Sequence, residues 1–266
     1  MMNEFKNCAI TAAKEAAKIL MSNLGNLKAK DIEKKNKADF VTWVDKTSEK
    51  KVIEIIHAQF PAHKIYSEES MRDAVGGYRW IIDPLDGTTN YIHGVPAFAV
   101  SIGLEKDGEV ILGVVYDPNR DDLFYGEKGG GAFLNDIPIH VSKTKDPSLA
   151  LLATGYPFRA NQYIDEYQQS FKNIFLQVSG VRRAGSAAID LCYVACGHYE
   201  GFWELELQAW DLAASKIILE EAGGKMTDFS GGDKVLTTGN TIASNTFLHS
   251  FLLKAVQNSF SGIVDE

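Results

Sequence analysis

The chain has 266 residues, a formal net charge of −8, and a composition that is 45% hydrophobic and 23% charged. Such a chain buries a genuine core, as one large α/β domain or two joined halves. The acidic balance argues against nucleic acid as the principal partner, because holding a phosphate backbone takes a basic surface. The three cysteines, Cys8, Cys192 and Cys196, lack metal-knuckle spacing, and no apolar run approaches the roughly 18 residues of a membrane span.

In chain order, apolar residues at helical spacing (Ile10, Ala13, Ala17, Leu20, Leu24) predict an amphipathic first helix that ends at Gly25. Its lysines and glutamate exclude a signal peptide, so a cytoplasmic location with no membrane partner is expected. The lysine-rich stretch Lys28 to Lys37 reads as a solvated, mobile loop. A second helix is expected from about Lys46 to Phe60, before Pro61, then a short strand Lys64–Tyr66. Arg79 to Asp83 reads as a buried strand that stops at Pro84. Phe98–Lys106 and Glu109–Tyr116 form a predicted hairpin about Asp107-Gly108, and Leu123–Gly126 and Gly131–Leu134 continue the meander. From Leu149 strands (149–154, 181–183, 199–203, 241–244) alternate with helices (162–177, 186–197, 208–222, 246–258), which predicts stacked layers of helix and sheet. The chain is expected to be a single unit, with an α+β half over about 1–145 and an α/β half over about 146–266.

The most informative tract is Asp83-Pro84-Leu85-Asp86-Gly87-Thr88-Thr89-Asn90. A strand delivers Asp83 to its carboxyl end, where ligands bind in open α/β sheets. Pro84 and Gly87 shape a tight turn, and Thr88 to Asn90 can open a short helix whose N–H groups favour phosphate. Two carboxylates about such a turn suit a hard cation such as Mg²⁺, which takes oxygen ligands. Three outlying sites add acidic groups: Glu68-Glu69 after a strand, Asp45 after the run Val41 to Val44, and Trp210-Asp211 at the head of an apolar helix. Singly, each is also a surface or helix-capping feature. A haloacid-dehalogenase-type centre places one residue between its aspartates, whereas two separate Asp83 from Asp86 here. The six histidines show no zinc spacing, and Tyr156, Arg159, Arg182 and Arg183 read equally as phosphate or ribose contacts and as surface residues.

Together these tracts resemble the inositol monophosphatase family, a lithium-sensitive, Mg²⁺-dependent group. The resemblance rests on Trp80-Ile-Ile-Asp83-Pro-Leu-Asp86-Gly-Thr88-Thr-Asn90, on Trp210-Asp211-Leu-Ala-Ala with Glu221-Ala-Gly-Gly224, and on Glu68-Glu69 and Asp39-Phe-Val-Thr42-Trp-Val-Asp45. It implies a mixed α/β (α+β) fold, a layered αβαβα sandwich like those of inositol monophosphatase and fructose-1,6-bisphosphatase, usually a homodimer. It further implies Glu68, Asp83, the Leu85 carbonyl, Asp86 and Asp211 as ligands for two or three Mg²⁺ ions. Thr88 and Asp45, with Glu68 at the first ion, would handle the attacking water. Gly87, Thr88, Gly185, Ser186, Ala187 and Glu204 would face the substrate, and the region of Lys34 and Lys35 would close over the site. The implied reaction is hydrolysis of a small phosphate monoester, inositol monophosphate first. NADP(H), fructose 1,6-bisphosphate and phosphoadenosine compounds, or a dual specificity, are the alternatives, and a non-catalytic metal- or nucleotide-binding regulator is a remote one.

Overall fold

The computed structural model describes residues 1–36, 39–70 and 76–260. Helix α1 (Met2–Asn23) buries Phe5, Cys8, Ala12, Ala16 and Leu20 along one face, the i, i+4 stripe that its sequence spacing requires. After a one-turn 3₁₀ helix (Ala29–Asp31) come β1 (Ile32–Asn36), β2 (Asp39–Thr42) and α2 (Trp43–Gln59). The lysine-rich stretch is therefore not simply a solvated loop, for β1 pairs antiparallel with β2, Ile32 opposite Thr42 and Lys34 opposite Phe40. Charge density hid this strand, because Glu33 and Lys34 are exposed and the main chain makes the pairing with β2; Lys37 lies outside the described residues. Helix α2 starts three residues before the expected Lys46, because Thr42 caps it: its hydroxyl accepts from the Val44 amide and the Asp45 carboxylate accepts from the Thr42 amide.

A first sheet follows, of β3 (Lys64–Ser67), β4 (Tyr78–Asp86), and, after the short α3 (Thr88–Ile92), β5 (Ala99–Lys106), β6 (Glu109–Asp117), β7 (Asp122–Glu127), β8 (Gly131–Leu134) and β9 (Ile137–Pro138). These seven strands lie in sequence order, with β3 parallel to β4 and the others antiparallel. The second sheet has the order β11-β10-β12-β14-β13. Its elements are β10 (Leu151–Thr154), α4 (Ile164–Phe175), β11 (Gly180–Arg182), α5 (Ala187–Ala195), β12 (Gly201–Glu204), α6 (Ala209–Glu221), β13 (Gly224–Thr227), the one-turn α7 (Val235–Thr238), β14 (Thr241–Asn245) and α8 (His249–Phe260). Strand β13, with its two exposed or half-exposed leading residues, was not foreseen; it earns its place only by pairing with β14.

Helices α1 and α2 cover one face of the seven-stranded sheet, α5 and α6 fill the space between the sheets, and α4 and α8 close the far side. The layering is αβαβα. Among the described residues no helix is long and apolar enough to cross a membrane.

Helix α6 lies unusually close to the first sheet because of glycine. Gly103, Gly113 and Gly126 stand opposite one another on β5, β6 and β7, and Ala132 of β8 extends the row. A Cβ at Gly113 would sit 2.2 Å from the Ala214 carbonyl oxygen, and one at Gly126 would sit 2.8 Å from the Ile218 Cα. The row is a trough for the helix backbone, and it fixes where the first turn of α6 points. Gly113→Ala is expected to cost about 3 kcal/mol, since backbone must move to admit the methyl, and to lower the melting temperature by roughly 6–12 °C. Thermal unfolding checks this; a loss well under 1 kcal/mol would mean that the helix retreats freely.

Candidate active site

The Asp83–Asp86 tract does not end its strand as expected. β4 runs on to Asp86 through a bulge: Asp83 faces Ser101 and Asp86 faces Ala99, three steps on one strand against two on its neighbour. The physical consequence is direct. Residues three apart on a regular strand point to opposite faces, and the extra residue returns both aspartates to the same face. Pro84 is tolerated because a bulge needs no ladder hydrogen bond there. The Leu85 amide donates to Asp83 Oδ1 at 2.9 Å, which fixes the first carboxylate. Gly87 then takes φ of 92°, with the Ala97 carbonyl oxygen 2.9 Å from where a Cβ would be, so glycine alone suits this turn.

Helix α2 supports the tract with polar groups at i, i+3 and i+4. Thr88 Oγ1 lies 3.1 Å from Asp45 Oδ1 and 3.0 Å from the Leu85 carbonyl oxygen. The Ser48 hydroxyl donates to the Pro84 carbonyl at 3.1 Å, and Glu49 Oε2 accepts from the Glu69 amide at 2.8 Å. One helix face therefore steadies both acidic tracts. Asp45 is fully buried and lies behind Thr88 rather than in the cavity wall, with its other oxygen accepting from Thr42. It both caps α2 and accepts from the Thr88 hydroxyl. Ser48 and Glu49 went unnoticed in the sequence, although their helical register with buried Val52 and Ile56 marks them as inward-facing.

The second sheet's helices complete the site. Asp86 Oδ2 accepts from the Ser186 hydroxyl at 2.5 Å and the Ala188 amide at 2.8 Å, at the N-terminus of α5. Asp211, in the first turn of α6, accepts from the Gln208 amide at 2.8 Å and from Arg159 at 3.2 Å through Oδ2. Asn90 donates to the Ala97 and Ala184 carbonyls at 2.7 and 2.8 Å, tying the octet to the loop before α5. Asp83, Asp86 and Asp211 thus offer ligand atoms within 4.8 Å of one another.

A cavity of about 290 Å³ opens above this trio, and Glu68, Leu85, Gly87, Thr88, Gly185, Ser186, Ala187 and Glu204 also line it. Of the candidates left open, Tyr156, Arg159 and Arg183 face the cavity whereas Arg182 does not. Several wall residues were missed, Thr154, Phe158, Leu205 and Leu207 among them, and three carry more weight. Phe40 arrives with the unforeseen β2, and Gly155 leaves space for the Glu204 carboxylate, whose carbon would lie 1.8 Å from a Cβ there. Asp190, the third, is a lone carboxylate on an apolar helix, a signal the sequence did carry.

Electrostatically the floor is strained. Burial, then the charges of Glu68, Asp86 and Asp211, push the Asp83 carboxyl well above its usual range. Burial and Asp211 raise Asp86 to about 6, against the pull of Ser186 and the α5 amides. Burial raises Asp211 too, with Arg159 opposing. Like charges about 4 Å apart repel by about 4 kcal/mol at an effective dielectric of 20. An all-oxygen donor set, buried yet open to a cavity where water can complete the coordination, fits a hard divalent cation.

A model of the inositol monophosphatase family matches residues 1–261. The chain is 40% identical over 262 residues to the Nus factor SuhB of Pseudomonas aeruginosa, covering 96% of this chain and 97% of that one. It is 41% identical over 257 residues to the fructose-1,6-bisphosphatase/inositol-1-monophosphatase of Aquifex aeolicus, covering 96% of each. The solved inositol monophosphatase of Anabaena superposes with a TM-score of 0.86 at 42% identity, covering 97% of this chain and 96% of that one.

Raised carboxyl pKa values stabilise the metal-free protein at low pH. For Asp86 that contribution is complete below about pH 4 and is lost as pH rises through about 6. A cation competes with those same protons. With Mg²⁺ as probe at a hundred times its dissociation constant, the expected gain is about 2.7 kcal/mol, roughly 5–10 °C in melting temperature. The increment should grow from pH 4 to 7 and largely vanish in Asp83→Asn. Scanning fluorimetry with and without chelator reads it; an increment independent of pH would contradict the linkage.

Proposed function

The chain belongs to the inositol monophosphatase family, metal-dependent phosphoric monoester hydrolases, and from that premise we propose that it hydrolyses a small polyol phosphate, inositol monophosphate first, with Mg²⁺. The observation that carries the reading is the convergence of buried Asp83, Asp86 and Asp211 beneath an open cavity. A phosphate dianion cannot approach that floor while it stays uncompensated. Glu68, Asp83, the Leu85 carbonyl, Asp86 and Asp211 would hold the ions. When bound, these ions neutralise the phosphate charge, acidify water and stabilise the departing alkoxide.

The protein's own groups do the orienting. Thr88 has one hydroxyl proton for two acceptors, Asp45 Oδ1 and the Leu85 carbonyl oxygen. When that proton goes to Asp45, the lone pairs of Thr88 Oγ1 accept from the attacking water. Burial raises the Asp45 carboxyl pKa, which makes Oδ1 a better terminus for a proton relayed from water through Thr88. Gly87, Gly185, Ser186 and Ala187 present backbone and small side chains around the phosphate, and Glu204 faces the alcohol.

We read the chain as one unit whose two halves meet near residue 145, since α6 of the second half lies on the sheet of the first. The homodimer and the cytoplasmic location implied by the family resemblance belong to the same proposal. The Aquifex aeolicus relative, named for two activities, favours a dual specificity as the nearest alternative on the substrate. The relative named a Nus factor favours a second, non-catalytic role beside the chemistry.

Phosphate release from inositol 1-phosphate, fructose 1,6-bisphosphate, NADP and phosphoadenosine compounds, with Mg²⁺ and with chelator, tests the assignment. Metal-dependent turnover is expected, greatest on inositol phosphate; no release from any of them would remove the enzymatic reading. Thr88→Ala should lower kcat by about 10²–10⁴-fold and leave the Mg²⁺-induced thermal shift intact. Equal loss of both would assign Thr88 to the metal instead of the water.

A further inference from the structure

The cavity wall holds a buried carboxylate to which the reading above gives no role. Asp190 stands one turn into α5, is 2% exposed, lines the cavity, and its Oδ1 has no hydrogen-bond partner. Buried acceptors left unmet are rare in folded proteins, and each needs a cause. An ion pair is not the cause here. Burial and then the Asp86 charge push the Asp190 carboxyl well above its usual range, and the positive charge that opposes them belongs to Arg183, but that guanidinium lies over the rings of Tyr156 and Phe158, 5.1 and 5.2 Å from their centroids. Nor is Asp190 part of the metal trio, whose members are Asp83, Asp86 and Asp211.

The surroundings indicate what it is for. Asp190, Glu204 and Arg183 line the same cavity as the trio, so acceptors and a donor border the same space. An apolar group placed there would leave the Asp190 carboxylate unmet. An ammonium group would meet the Arg183 charge. A hydroxyl suits both neighbours, since it donates to a carboxylate and accepts from a guanidinium, and rotation about χ2 of Asp190 can present either oxygen. We propose that Asp190 is a specificity-determining residue: its carboxylate accepts a hydrogen bond from a hydroxyl of the substrate's alcohol portion, and so selects polyol phosphates over phosphates with hydroxyl-free leaving groups. This rests on the phosphatase reading and deepens it by naming the leaving-group class.

The test compares kcat/KM for myo-inositol 1-phosphate and 4-nitrophenyl phosphate, with Mg²⁺, in the wild type, Asp190→Ala and Asp190→Asn. Loss of a buried hydrogen bond that leaves the substrate hydroxyl unmet predicts that Asp190→Ala falls by about 10- to 100-fold on the inositol phosphate and stays within about 3-fold on the aryl phosphate. Asp190→Asn keeps one acceptor oxygen and should recover part of the loss, and both variants should keep the Mg²⁺-induced thermal shift. Equal loss on both substrates, or no loss on either, overturns the assignment. Wild-type turnover of the aryl phosphate tests the phosphatase reading by itself. A wild type that hydrolyses the aryl phosphate and not the inositol phosphate would leave that reading standing and overturn the role of Asp190.

Discussion

Mutual repulsion among Asp83, Asp86 and Asp211 is the constraint around which the molecule is arranged. Each carboxylate has one oxygen anchored by the protein: Asp83 Oδ1 by the Leu85 amide, Asp86 Oδ2 by Ser186 and Ala188, and Asp211 Oδ2 by Gln208 and Arg159. All three residues line the cavity. Backbone and hydroxyl donors offset part of the repulsion, and one cation, Arg159, pairs with Asp211, so the trio as a whole stays acidic. Carboxylates held this way are preorganised, which is what rapid metal-assisted chemistry needs and what a flexible acidic loop cannot supply.

Keeping such a cluster together takes rigid supports from both sheets. From one side, α2 turns Asp45, Ser48 and Glu49 toward the acidic tracts while its apolar residues, Val44, Val52 and Ile56, pack in the core. Each buried branched side chain there contributes roughly 1.5–3 kcal/mol, so the polar contacts ride on a helix already fixed by packing. From the other side, the glycine row on β5, β6 and β7 seats α6, and Asp211 follows because it is in the first turn of that helix. A residue remote from the cavity, Gly113, therefore sets the reach of Asp211. Asp190 and Glu204 in the same wall feel the floor as well: burial and the charges of Asp211 and Asp86 raise Glu204, and burial and Asp86 raise Asp190, with Arg183 opposing in both cases.

Much of this was legible in the chain. The Asp83–Asn90 octet, the Trp210-Asp211 tract and the glutamate pair led to the family and to a phosphatase, and the periodicities placed most strands and helices within a few residues. The misreadings share a cause. The strand of 32–36 looked like loop because its residues are charged and its stability comes from a partner strand. Strand β4 seemed to stop at Pro84 because proline forbids a ladder bond, yet a bulge spares it one. Gly155 carried no motif, and its meaning appears only beside Glu204.

The sequence by itself determined the kinds of groups present: enough aspartates in recognisable tracts, the glycines and threonines that shape their turns, and helices and strands in an alternating order. Local chemistry is written in neighbouring residues, so local patterns disclose it. Tertiary structure alone decided which groups meet. Asp45 reaches Thr88 across 43 positions, and Asp86 reaches Ser186 across 100. Contacts over such separations depend on how sheets twist, bulge and admit helices, and those are properties of packing that no single segment contains.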